Sequence, residues 1–187
     1  SLINFSTMKY IILTLVLICS ISMNCQTLYK GFEYGMSKDE VKSEWKQNKE
    51  EYSKIDLGAN VIWRTFKNRL FISDDKLYAI QFTPKNSLLG MDSKEITRYL
   101  NYSKEAFLSL GYEVLYEAEN WNFPEKFDSK KGIVLTDPSK SRIIEIHSTS
   151  VKSYGKMIYR VQLNIHSYDR IVNQSVSNET KIENSGF

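Results

Sequence analysis

The chain has 187 residues, 25 basic against 22 acidic for a net charge of +3, and two cysteines. The two signs are interspersed without a long basic block, which excludes the concentrated positive surface that nucleic acid requires. The length is enough to bury a core in one domain or two small ones.

Residues 8–26 read as an export signal. Lys9 is the positive n-region, residues 10–18 are an almost unbroken apolar run, and residues 20–26 are polar enough for cleavage. Extended to Met23, the apolar run is about 14 residues, short of the roughly 20 that span a bilayer. Residues 1–25, upstream residues plus signal peptide, are therefore expected to be removed. The remainder is placed outside the cytoplasm, periplasmic or secreted. Cys19 and Cys25 both fall in or at the end of this leader. The mature chain then has no disulfide, and thiol catalysis and cysteine metal sites drop out. No cofactor and no metal are expected. Cys25 leaves a lipid-anchored alternative, the one route to a membrane. Asn24 before it and Ser22 at minus three depart from the lipoprotein pattern.

Two stretches match each other: Gly35-Met36-Ser37-Lys38-Asp39-Glu40-Val41 and Gly90-Met91-Asp92-Ser93-Lys94-Glu95-Ile96. Ser37 and Asp92 can cap free backbone N–H groups, with Glu40 and Glu95 three residues later closing a capping box. Met36 with Val41, and Met91 with Ile96, occupy the positions of a hydrophobic staple. The spacing predicts helices over residues 38–50 and 93–110. The first has a thin apolar face, Val41 and Trp45. The second carries Ile96, Tyr99, Leu100, Phe107 and Leu110 on one stripe, with Gly111 as a left-handed end.

Strand patterns follow each helix. Residues 59–66 and 70–73 are short and apolar, Asp74-Asp75 is a turn, and residues 77–83 alternate with Tyr78, Ile80 and Phe82 inward. After the second helix, residues 112–118 alternate with Tyr112, Val114, Tyr116 and Ala118 on one side. Residues 131–136 form a strand, and Asp137-Pro138-Ser139-Lys140 is a turn with proline in its favoured place. Residues 142–151 and 156–168 form a last hairpin. Its buried sets are Ile144, Ile146 and Ser148 against Val161, Leu163 and Ile165, so even positions must oppose odd ones. That parity favours a four-residue connection and sets His147 against Arg160 or Gln162. The outward face is expected to be wet, with His147 and His166 too far apart to share a metal. The tail, residues 172–187, is polar and unpatterned, the composition of a disordered segment.

The fold class implied is α+β: an antiparallel sheet with two helices packed on one face. Residues 27–84 and 90–168 are its halves, and a tandem α-β-β-β repeat is open. The helix opening G-M-[S/D]-x-x-E-[V/I], used twice after an export signal, resembles the small outer-membrane assembly lipoproteins of the BamE (SmpA/OmlA) type. It is also similar to tandem β-lactamase-inhibitor-like domains. The resemblance covers only residues 35–41 and 90–96. It implies helices on an antiparallel sheet and a role in binding proteins rather than catalysis. The first helix lacks the Leu-Gly-x-Pro-like close of that pattern, and no functional residue carries over.

No H-E-x-x-H, G-x-S-x-G or phosphate-cradling glycine loop is present, so no catalytic residue is assigned. The candidate contact residues are Trp121 and Phe123, in a loop without strand alternation, together with Arg160 and His147 on the open sheet face. The expected partner is an envelope or extracellular protein. Two alternatives stand beside this reading. One is a small hydrolase using Glu117 or Glu119 with His147. The other is a small-ligand carrier with a tyrosine-lined cavity between sheet and helix.

Overall fold

A computed structural model describes residues 26–85, 91–122, 132–153 and 155–172. The leader with Cys25, the residue Phe123 and the tail from 173 lie outside the described residues. Two short strands, β1 (Thr27–Tyr29) and β2 (Phe32–Glu33), pair as a hairpin that the sequence pattern did not announce. Helix α1 (Lys38–Tyr52) follows. Then come β3 (Lys54–Asp56), β4 (Ile62–Arg64), β5 (Leu70–Ser73) and β6 (Lys76–Pro84). Helix α2 (Ser93–Ser109) leads to β7 (Glu113–Glu117), β8 (Gly132–Thr136), β9 (Arg142–Ser153) and β10 (Lys156–Ser167).

Both helix starts form as their sequences dictate. Ser37 Oγ accepts from the Glu40 amide, while the Glu40 carboxylate accepts from the Ser37 amide at 2.7 Å. Asp92 accepts from the Glu95 amide at 2.8 Å. Gly111 adopts φ +83° just past α2, the left-handed geometry that lets the chain leave the helix. Leu110, expected on the inner stripe, instead faces solvent at 63 % exposure, and Ser103 takes a buried place. The helix has ended at Ser109, so position 110 no longer follows its periodicity.

The eight strands β3–β10 form one antiparallel sheet in the order β3-β4-β6-β10-β9-β8-β7, with β5 also on β6. Strand β6 of the first half pairs with β10 of the second, Phe82 opposite Leu163 and Ile80 opposite Ile165. The two halves therefore share one sheet and one hydrophobic cluster. Each helix opening is tied to the last strand of its own half, by the bridges Ser37–Lys76 and Met91–Tyr159. Helices α1 and α2 lie on the same face, and a short helical turn over residues 168–172 follows β10. Phe32 packs on Trp45 of α1, Tyr29 on Phe82, and Tyr99 of α2 edge-on to Trp63 of β4.

Three strand expectations need correction. Residues 57–61 are a turn, with Gly58, Ala59 and Asn60 at positive φ, so the expected strand over 59–66 shrinks to β4. The charged segment after α1 supplies the missed strand β3. In β7 a register shift between Val114 and Tyr116 breaks the alternation, and all five residues are exposed rather than alternately inward. Strand β6 is covered on both sides: Leu77, Ala79 and Gln81 are buried along with Ile80 and Phe82, whereas Tyr78 is only half-buried.

The β9–β10 hairpin keeps the expected parity, with His147 opposite Gln162. Its connection is two residues, not four, because the strands extend to Ser153 and Lys156. Both lengths are even, so both preserve the side-chain faces. Gly155 at φ +77° supplies the positive-φ geometry that matches a two-residue turn to strand twist.

Candidate functional site

The face of the sheet opposite α1 and α2 is built by the alternation of β6, β9 and β10. While Ile80, Ile144, Ile146, Leu163 and Ile165 enter the core, Gln81, Glu145, His147, Gln162, Asn164 and His166 point the other way. Register places Gln81 beside Asn164 and Asn164 beside Glu145, a polar row across three strands. Val134 of β8 and Tyr116 of β7 continue that row to the sheet edge.

These side chains are joined. Gln81 Nε2 donates to Gln162 Oε1 at 2.9 Å and to Asn164 Oδ1 at 3.2 Å. Arg69, in a single 3-10 turn before β5, donates to Gln81 Oε1. Asn164 Nδ2 reaches Glu145 Oε2 at 3.4 Å. The Glu145 carboxylate sits between both histidines, 3.6 Å from His147 Nδ1 and 3.5 Å from His166 Nε2. His166 is the main influence holding the Glu145 carboxyl below its ordinary range; burial opposes this, and His147 and Asn164 add to it. The imidazoles were expected to be solvated, yet their side chains are only 19 % exposed. The long amides and Arg69 crowd the face. Among the described residues no group of three or more His, Cys, Asp or Glu can hold a metal ion.

The residues singled out from sequence fall in different places. His147 belongs to this face. Arg160 is exposed on β10, opposite Thr149 and one alternate position beyond Gln162. Trp121 does not belong to an exposed loop: it is 3 % exposed and part of the hydrophobic core. Its amide donates to the Ala118 carbonyl, turning the chain back, and its indole N–H donates to Glu117 Oε1 at 2.6 Å. Glu117 also receives Lys104 of α2 at 2.7 Å. Trp121 is thus a structural residue, and its indole had a partner four residues upstream that no alternation rule exposes. Glu117 is opposite Ile133, whose neighbour Ile146 faces the core, whereas His147 faces outward. The pairing of Glu117 with His147 is therefore not assembled.

A shallow cleft of about 340 Å³ lies between α1 and the β4 segment, with Trp45, Lys49, Lys54, Arg64, Thr65 and Phe66 in its lining. Glu50 lies among the three cations, and no tyrosine is in its lining. The residues missed by sequence reasoning are the amides. Gln81, Gln162 and Asn164 are spread over 83 positions and meet only through strand pairing. Comparison of the chain with protein-family models, with curated proteins and with solved structures finds no match in any of the three.

Proposed function

We propose that this chain is an exported, non-enzymatic α+β protein that binds a protein or another envelope component through the face of its sheet opposite α1 and α2. The observation that carries this reading is the amide row Gln81–Gln162–Asn164 with its Arg69 and Glu145 ends. Its rotamers are held by one another before any partner arrives. Gln81 and Asn164 are buried, so the row acts as a rigid base, and exposed groups held on a pre-ordered base lose less entropy on binding. Arg160 and Tyr116, both exposed, flank the row and are residue types that anchor interfaces. Residues 8–26, read as an export signal, support a partner in the envelope or outside the cell, and the BamE-like helix openings support the same class of role.

The test is affinity capture from envelope extract of the native host, using the immobilised full chain. A specific partner is expected on the wild type. Gln162→Arg and Arg160→Glu should both lose it, while Lys42→Glu on the outer side of α1 should keep it. Capture of no specific partner, or equal capture by all four proteins, overturns the reading.

A further inference from the structure

We infer that β7 is a strand-addition edge for a basic, extended segment of a partner protein. This rests on the protein-binding reading above and names the chemistry of what is bound. The strand order runs from β3 to β7, with β5 a further edge beside β6 whose apolar side chains are buried or half-buried. At one end β3 is three residues long and carries Lys54 and Asp56, the short charged edge that resists pairing with other chains. At the other end β7 is five residues long, all exposed. Its centre is Val114, Leu115 and Tyr116, at 38, 49 and 48 % exposure, and the solvent-facing Leu110 lies just upstream. No lysine or proline interrupts it.

A strand at the end of a sheet presents unpaired backbone N–H and C=O groups on its free side, and apolar side chains there make it a template for another strand. The register shift at Leu115 increases local twist, one of the devices that blunt an edge, but it comes without charge at its centre.

Charge selects the occupant. Glu113 and Glu117 bracket the apolar centre and Glu119 follows. Lys104 neutralises Glu117, while Glu113 and Glu119 form no ion pair among the described residues. A second copy at this edge would bring its own Glu113, Glu117 and Glu119 beside the first set, gathering like charges. A segment alternating Lys or Arg with apolar residues matches both the acidic ends and the apolar middle.

The probe is an eight-residue peptide alternating Lys and Val, titrated into the full chain, with a Glu/Val peptide as the opposite-charge control. Hydrogen exchange should slow at residues 113–117 with the Lys/Val peptide only. Glu113→Lys with Glu119→Lys should weaken that peptide about tenfold or more, and Val114→Lys with Leu115→Lys should abolish binding. All four side chains are exposed, and circular dichroism checks that each variant remains folded. No protection of β7 by the peptide, or unchanged binding by both variants, overturns the inference. Loss of the captured partner in Gln162→Arg but not in Val114→Lys/Leu115→Lys also overturns it, and leaves the sheet-face reading standing. A concentration-dependent dimer abolished by Leu115→Lys overturns it as well, assigning the edge to a second copy.

Discussion

Tyr99→Phe tests the joint between the two halves of the chain. The Tyr99 hydroxyl accepts the Ile62 amide at 3.0 Å and donates to the Ile62 carbonyl at 3.0 Å. It thereby fastens α2, from the second half, to β4, from the first. The substitution keeps the ring and its edge contact with Trp63 at 5.6 Å, so no cavity forms. The Ile62 carbonyl retains the Lys85 amide at 2.9 Å, and the longer 3.4 Å contact to the Asn60 carbonyl is on an exposed residue, leaving the Ile62 N–H as the orphaned donor. A neutral hydrogen bond contributes about 1 kcal/mol net, and an unsatisfied buried donor costs about 1–3 kcal/mol. Ile62 is half-buried, so the lower half of that range applies: about 1–2 kcal/mol, or about 2–8 °C in Tm for a chain of this size. Urea unfolding followed by tryptophan fluorescence reads the loss, and hydrogen exchange should accelerate at the Ile62 amide. Tyr34→Phe, at an exposed tyrosine, is the control and should change nothing. A loss for Tyr99→Phe below about 0.5 kcal/mol, with Ile62 exchange as slow as in the wild type, refutes the joint.

Gly132→Ala should cost more than about 4 kcal/mol or prevent folding. A Cβ there overlaps the Ile146 carbonyl oxygen and approaches His147 Cβ to 2.9 Å, and backbone in a central pairing cannot yield; a thermal melt within a few degrees of wild type would contradict this. Trp121→Ala should cost about 3–5 kcal/mol, because the indole is core and not a contact surface, and an unchanged urea midpoint would place it outside the core. Asp137→Asn reports on pH. Burial pushes the Asp137 carboxyl up, but hydrogen bonds from Ser139, the Arg142 amide and Ser141 outweigh it and hold the pKa below its ordinary value. A lowered folded-state pKa contributes stability above the unfolded value that disappears as pH falls through the folded one. Wild type should therefore exceed Asp137→Asn in stability at pH 7, with the gap closing in strong acid; a gap that is constant or widens on acidification refutes the assignment.

The helix openings were legible because capping is local. Ser37 with Glu40, and Asp92 with Glu95, lie three residues apart, and their bonds need no other part of the chain. The β9–β10 faces were legible because a period of two survives any even connection. The β7 faces were not, since one extra residue at Leu115 cancels the alternation. Trp121 was misplaced for a similar reason: a loop has no period, and its burial depends on Glu117 and on Lys104 of a helix packed beside it.

By itself, then, the sequence determined the capped helix starts, the turn at Asp74-Asp75, the α+β class and the side-chain faces of the final hairpin. Each of these follows from interactions between near neighbours. Tertiary structure alone decided that β6 would pair with β10 to make one sheet, that Gln81 would meet Gln162 and Asn164, and that β7 would be left as an apolar edge. Those outcomes rest on pairing between strands distant in the chain, where many registers satisfy the same local pattern and only simultaneous packing of both halves selects among them.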